Sequence, residues 1–232
     1  MNFLSICIPT YEMHGVGKDF LEFSFLKLKN QTFKDFEVII SDHSKDNEIE
    51  KLCEFWKDKL NIKYFRNMEN IGSSSANINN AIKKASGEWI KILFQDDFLF
   101  NENSLEKIIK FISNEDSMNW LVCGCEHSFD GVNMSRAFFP TWNNSIHLGN
   151  NTISSPSVVC FKNINNKIFF DKNLIWLMDV DFYKKMYEKY GEPKILNEII
   201  IVNRLWDNCL SNRIPQQIKD SELLTMMNRY VN

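Results

Sequence analysis

The chain has no surplus of positive charge, no long apolar run, and little glycine or proline. Its 27 Lys and Arg stand against 30 Asp and Glu, a formal net charge of −3. The basic residues are scattered rather than gathered in a stripe, so the electrostatic footprint of a phosphate-backbone binder is missing and nucleic acid is not the expected partner. No stretch approaches the roughly 18 uninterrupted apolar residues that a membrane-spanning helix needs. The opening Met1-Asn2-Phe3-Leu4-Ser5-Ile6-Cys7-Ile8-Pro9 has no basic segment ahead of its short apolar run, unlike a secretory signal. With 8 Gly and 5 Pro in 232 residues, no linker of low-complexity composition, internal repeat or heptad array is present.

The six cysteines (Cys7, Cys53, Cys123, Cys125, Cys160 and Cys209) are dispersed and mostly embedded in apolar runs, unlike a disulfide framework, and are read as reduced core thiols of a cytoplasmic protein. Cys123 and Cys125 could ligate a metal, yet a C-x-C within a strand merely puts both thiols on one face, and packing is the expectation. The sequons at Asn30, Asn143 and Asn150 are read as chance matches in an Asn-rich chain.

What the chain does contain is core. At 44% hydrophobic, with 19 Phe and 6 Trp, it has the apolar volume for one substantial domain over residues 1–232. The first half alternates strand and helix periodicities, the pattern of a mainly parallel sheet flanked by helices. Strands are predicted at Leu4–Ile8 (ended by Pro9), Phe36–Ile40, Ile62–Phe65, Trp89–Phe94 and Trp120–Glu126. Helices are predicted at about Lys18–Asn30, after Ser44 or Asp46 as N-cap, from the Asn70–Ser74 turn through Lys84 with Gly87 as C-cap, and at Ser104–Ser113. Residues 127–155 should form loops and short antiparallel strands. A strand at Ser157–Phe161, a helix at Leu177–Tyr190, a strand at Lys194–Val202 and a helix at Ile218–Tyr230 complete an α/β fold with a less regular C-terminal third.

In an open α/β sheet, ligands bind outside the carboxyl ends of the strands. Three polar strand ends would share that edge: Pro9-Thr10-Tyr11, Ser41-Asp42-His43-Ser44 and Gln95-Asp96-Asp97. Two adjacent carboxylates ending an apolar strand repel each other unless a cation or strong donors compensate. Hard oxygen ligands there suit Mg2+ or Mn2+, which keep several waters and bridge to phosphates; the competing reading is that both Asp simply begin a loop or cap a helix.

These segments, in this order, resemble family 2 glycosyltransferases with the GT-A nucleotide-sugar-binding fold. Ser5-Ile6-Cys7-Ile8-Pro9-Thr10-Tyr11 is similar to the family's first strand and Pro-Thr-Tyr turn, and Phe36 to Asp46 resembles its second strand and Asp-Asp-Gly-Ser-Thr-Asp turn. Asn70-Ile71-Gly72 and Ala85 to Ile90 resemble the approach to the metal strand, and Phe94-Gln95-Asp96-Asp97 stands where the D-x-D motif belongs. The resemblance implies that Pro9, Thr10 and Tyr11 line the nucleotide pocket, that Asp42 accepts from the base imide, and that Asp96 contacts the ribose or sugar. Asp97 would ligate the Mn2+ or Mg2+ that holds the diphosphate. Asn77, where a basic residue is frequent, falls to the phosphate or base. Leu174 to Tyr183 resembles the helix start that carries the general base, which places Asp179 in that role.

The function so implied is metal-dependent, inverting sugar transfer from a nucleotide-diphosphate sugar, UDP-linked by preference, to a glycan or lipid-linked acceptor in surface polysaccharide biosynthesis. Residues 1–100 would form the donor half and 101–232 the acceptor half. The setting is cytoplasmic, with peripheral contact at the inner membrane face allowed for. A nucleotidyltransferase and a non-catalytic nucleotide-sugar-binding protein are the alternatives. His14 is expected in a surface loop, His127 and His147 lack metal-ligand spacing, and Trp120, Trp142, Trp176 and Trp206 are read as core, with Trp176 the one that could instead offer a platform to a sugar ring.

Overall fold

A computed structural model describes residues 2–115, 117–209 and 213–230. Its centre is one eight-stranded sheet: β1 (Leu4–Thr10), β2 (Phe36–Asp42), β3 (Ile62–Arg66), β4 (Trp89–Ile92), β5 (Phe98–Leu99), β6 (Trp120–Ser128), β7 (Val159–Lys162) and β8 (Lys194–Arg204). Their spatial order is β3-β2-β1-β4-β7-β6-β8-β5. The pairs β1–β2, β1–β4, β2–β3 and β6–β8 are parallel, and β4–β7, β6–β7 and β5–β8 antiparallel. All seven residues of β1 and all seven of β2 are buried, which requires cover on both faces and explains why these strands read as apolar runs rather than alternating ones.

The cover comes from α1 (Gly17–Lys29), α2 (Glu48–Trp56), α3 (Ser74–Lys84), α4 (Ser104–Ser113), α5 (Met178–Tyr190) and α6 (Gln216–Tyr230). Leu21, Phe25 and Leu28 of α1, and Leu105, Ile108 and Ile112 of α4, are their buried stripes, each at the three-to-four spacing that puts side chains on one helical face. Asp46 accepts from the Glu48 amide at the start of α2 (3.0 Å), and Ser73 caps α3 through the Ala76 amide (3.2 Å). Cys7, Cys53, Cys123, Cys125 and Cys160 are buried free thiols.

Several local expectations are corrected. Pro9 does not end β1, which runs on to Thr10 alongside Ser41 and Asp42 of β2; β4 instead stops at Ile92. Gly87 is not a cap, since α3 closes at Ala85 in extended conformation. A Cβ on Gly87 would lie 2.7 Å from the Ser5 amide nitrogen, so glycine is needed there for close backbone approach. Among the described residues of 127–155, antiparallel pairing is limited to a bridge between Cys125 and Phe138, and 3-10 turns replace the rest at Ile146–Leu148 and, just beyond, Pro156–Val158.

Strand connectivity reverses direction at β1: β2 and β3 lie on one side of it and β4 on the other. That reversal opens a crevice at the carboxyl ends of β1 and β4, where Thr10, Tyr11 and the Gln95–Asp97 turn emerge.

Candidate active site

The three polar strand ends meet. Thr10 Oγ1 donates to Asp42 Oδ1 (3.1 Å), and the Tyr11 amide donates to Gln95 Oε1 (2.9 Å). Gln95 Nε2 reaches the Gly17 carbonyl (2.7 Å), so this side chain clamps the start of α1 against both strand ends. The fit leaves no space: a Cβ on Gly17 would lie 2.3 Å from the Tyr11 carbonyl oxygen. Tyr11 is 40% exposed, leaving an aromatic face open beside the crevice. Its phenol is raised above the ordinary tyrosine value, by burial first and then by the charge of Asp96.

Asp42 is inaccessible to solvent and densely satisfied. Oδ1 accepts from Thr10 Oγ1, the Ser44 amide (2.9 Å) and Ser44 Oγ (2.6 Å), while Oδ2 accepts from the Tyr64 hydroxyl (2.8 Å) and lies 3.7 Å from Arg66 Nη1. A carboxylate offers about four lone-pair sites, and these four donors fill them. Asn77, on α3, turns inward: Nδ2 donates to the Thr10 carbonyl (2.9 Å) and Oδ1 accepts from Ser41 Oγ (2.7 Å), tying both strand ends to the helix. Pro9 lies within buried β1, opposite Ser41.

Asp96 and Asp97 follow the β4 end. Asp96 Oδ2 accepts from the Trp206 indole (3.1 Å) and its carbonyl from Arg204 Nε (3.2 Å). Asp97 Oδ1 accepts from the Arg204 amide (3.1 Å), and Oδ2 lies 3.3 Å from Ser155 Oγ; the Ser157 hydroxyl also bonds this carboxylate. The Arg204 guanidinium is enclosed by the rings of Phe20, Phe23 and Phe98, 4.6 to 5.3 Å from their centroids, an arrangement in which a cation is attracted to aromatic faces. Both carboxyls are held above the ordinary aspartate value, chiefly by burial, and Asp97 further by the neighbouring Asp96 charge.

This pair therefore carries negative charge that its surroundings only partly offset. Among the described residues no group of three or more His, Cys, Asp or Glu forms a metal cage. The donor set fits a hard divalent cation that takes one or two carboxylates from the protein and completes its shell with water and substrate oxygens, the habit of Mg2+ and Mn2+.

Asp179 sits in the first turn of α5. Oδ1 accepts from the Val180 amide (2.7 Å) and Oδ2 from Asn151 Nδ2 (2.8 Å). Its carboxyl is pushed up to about 7, by burial and by the charge of Glu222, against the lowering effect of the Val180 and Asn151 bonds. The loop 151–155 joins this carboxylate to Asp97. Asn151 Oδ1 accepts from the Ile153 and Ser154 amides, and Ser154 Oγ accepts from Asn203 Nδ2 (3.0 Å). Asn203 Oδ1 in turn accepts from Ser155 Oγ (2.8 Å), the hydroxyl that faces Asp97. Ser154 adopts φ +93°, a strained conformation for a residue with a Cβ, and is fixed by the Tyr183 hydroxyl on its carbonyl (3.0 Å).

The strand-end residues Thr10, Tyr11, Asp42 and Gln95 are thus joined with Asn77 by hydrogen bonds, and the loop 151–155 links Asp97 to Asp179. Those the sequence reading missed are Gln95 as a clamp, the Ser154–Ser155–Ser157 loop, Asn151 and Glu222; Asn203 and Arg204 belong to a segment, Asn203 to Trp206, that resembles the family region often supplying a His to the metal, and here they bond Ser155 and Asp97. Trp206 is also corrected: it does not fill the core but donates to Asp96. Trp142 stacks on Tyr187, and Trp176 is partly buried against the core. His14 is exposed and bonds Arg213 (2.8 Å), while His127 and His147 bond backbone carbonyls.

Comparison with known proteins identifies the family and the fold. The family model described as Glycosyl transferase family 2 matches residues 5–172. A GalNAc(5)-diNAcBac-PP-undecaprenol beta-1,3-glucosyltransferase of Campylobacter jejuni is 33% identical over 99 residues, 42% of this chain and 31% of the relative. An uncharacterized glycosyltransferase of Rickettsia typhi is 27% identical over 95% of this chain and 70% of its own. The chain thus spans about a third of the first relative's length and more of the second's. Among solved structures, Staphylococcus aureus TarS 1–349 in complex with UDP-GlcNAc superimposes with TM-score 0.76 at 20% identity, over 98% of this chain and 67% of that one. The Pyrobaculum calidifontis mannosyltransferase PcManGT with GDP-Man and Mn2+ gives 0.70 at 13% identity, over 99% and 64%. At such identities the structural likeness establishes the shared GT-A fold.

Proposed function

The chain belongs to glycosyl transferase family 2, and we propose that it transfers a sugar, with inversion, from a UDP-linked donor to a hydroxyl of a glycan or lipid-linked acceptor. The observation that supports this reading is the hydrogen-bonded loop 151–155, which links Asp179 to Asp97 through Asn151, Ser154, Asn203 and Ser155. UDP is favoured because TarS, which shares the fold, holds UDP-GlcNAc, and a lipid-linked acceptor is favoured because the Campylobacter relative is a glucosyltransferase of a PP-undecaprenol-linked glycan.

In this reading Tyr11 stacks on the base with its exposed face, Pro9 and Thr10 shape the pocket floor, and Asp42 acts from behind them by fixing Thr10 and Ser44. Asn77 acts by holding Thr10 and Ser41 in place rather than by reaching the phosphates itself. Asp96, oriented by Trp206, receives ribose or sugar hydroxyls. Asp97 would hold Mn2+ or Mg2+, which supplies charge stabilisation to the departing diphosphate. Asp179 takes the acceptor hydroxyl proton as the new bond to the anomeric carbon forms and the old bond's electron pair leaves with the diphosphate. A base whose affinity for protons is raised toward neutrality is matched to that task. The setting that goes with these substrates is the cytoplasmic face of a membrane; among the described residues no helix is long and apolar enough to cross one.

The test is a thermal-shift and calorimetric screen of UDP, GDP, TDP and CDP with and without Mn2+, with Asp97→Ala as control. A ligand that binds only the folded state raises its melting temperature by mass action. A Mn2+-dependent shift with UDP that Asp97→Ala abolishes is expected; no shift with any nucleotide overturns the donor-site assignment.

A further inference from the structure

The C-terminal helix α6 grips the start of α5 at two points on either side of Asp179. On one side, Glu222 accepts three successive backbone amides: Ile175 on Oε1 (2.7 Å), and Trp176 and Leu177 on Oε2 (2.9 and 2.8 Å). On the other, Arg229 Nη1 and the Tyr230 hydroxyl meet Asp181 Oδ1 (2.5 and 2.8 Å), and Arg229 Nη2 also meets Asp171 (2.8 Å). Glu222 is only 6% exposed, and Met226, one turn along, is fully buried. A buried carboxylate with three amide donors is fully satisfied and strongly held.

Glu222 also acts electrostatically. The amides that precede and open a helix are its positive end, where an anion is stabilised. No side chain of α5's own N-cap residue, Leu177, can use them. Glu222 occupies three of these donors, so Asp179, two residues further on, keeps only the Val180 amide, its own amide and the Asn151 side chain. The titratable groups that face Asp179 are Glu222 from α6 and Tyr183 on its own helix; the phenol, fully buried, stays neutral.

We infer that Glu222 is a positioning residue for Asp179: it anchors the backbone turn that delivers this carboxylate, and its charge at the start of α5 keeps Asp179 a proton acceptor. The inference rests on the reading of Asp179 as the base. It adds to that reading a residue 43 positions away whose side chain is used up on backbone amides.

The experiment is a carbon-13 carboxyl NMR titration of the full chain, with the Asp179 resonance assigned by its loss in Asp179→Asn. In Glu222→Gln the shape is kept and the charge removed, and Asp179 is expected to titrate lower by roughly half a unit or more. Glu222→Asp retains the charge one methylene further back and should give a smaller shift of the same sign, which serves if Glu222→Gln fails to fold. Arg229→Met loosens the other grip of α6 without touching Glu222 and should leave the Asp179 titration in place. Asp179 titrating at the wild-type position in the Glu222 variants, or moving as far in Arg229→Met, overturns the inference. Undiminished turnover of a UDP-sugar by Asp179→Asn would instead overturn the assignment of the base, while the measured coupling between the two carboxyls stood.

Discussion

Replacing Asp179 by Asn should make stability less dependent on pH. The folded protein holds the Asp179 proton up to about pH 7, against 3.8 for an ordinary aspartate. The folded state therefore binds more protons than the unfolded chain between those limits, and stability falls as pH rises through that window. Each pH unit of separation is worth about 1.4 kcal/mol, an upper limit of about 4 kcal/mol. Asp179 is partly exposed, and water screens such a charge, so about half, roughly 2 kcal/mol, is the working value. About 1.5 kcal/mol of it develops between pH 5 and pH 8. Asparagine removes this dependence. It also puts an amide against Asn151 Nδ2, a loss of about 1 kcal/mol that does not vary with pH. The diagnostic is thus the slope of the difference between the two proteins rather than its sign at one pH. By thermal denaturation at intervals from pH 5 to 8, the melting temperature of Asp179→Asn should gain about 3 to 6 °C on wild type as pH increases. Curves that stay parallel across that range would refute the argument that burial, with Glu222 beside it, raises this carboxyl's affinity for protons.

Tyr64→Phe deletes the donor to Asp42 Oδ2 and should weaken UDP binding about fivefold, the effect of one hydrogen bond of about 1 kcal/mol, as read by calorimetry. Gly17→Ala forces a methyl into the Tyr11 carbonyl and Gln95, so melting should fall in line with an overpacking cost of about 1 to 3 kcal/mol, and UDP affinity should fall with it. Ellman's reagent should modify one thiol of the six in the native protein, Cys209, and all six in denaturant. The other five are buried, and burial raises Cys53, Cys123 and Cys160 to about 12 and Cys125 to about 11, which suppresses the reactive thiolate.

The parallel half of the fold was legible because β1 and β2 are buried on both faces and separated by a helix with its own periodicity; composition and period both point the same way there. The strand-end residues Thr10, Asp42, Asp96 and Asp97 were legible for a related reason, since polar side chains that terminate apolar strands stand out in a sequence. Their partners did not stand out. Ser155 and Arg204 reach Asp97 from 58 and 107 positions away, and Asn203 of β8 holds Ser155 in turn; nothing local marks a loop serine as facing a carboxylate. Trp206 was misread because bulk alone favours a core position, whereas the indole N–H, which needs a partner when buried, finds it in Asp96. Gly87 was misread because a glycine just past a helix suits a cap as well as a close strand crossing, and only the neighbouring chain distinguishes the two.

The placement of β8 bears on the order of events during synthesis. Among the described residues, strand β5, directly after the Asp96–Asp97 turn, pairs only with β8, and the Arg204 amide at the end of β8 bonds Asp97. A nascent chain can assemble β1 to β4 early, from neighbouring segments, but closing a loop of about a hundred residues is slow and entropically costly until the distant strand arrives. The crevice would therefore acquire its second wall late, after the ribosome has delivered Arg204. The growing chain would stay inert toward its donor until then, and a fragment ending before β8 should keep the fold's first layers while presenting its two acidic side chains to bulk water.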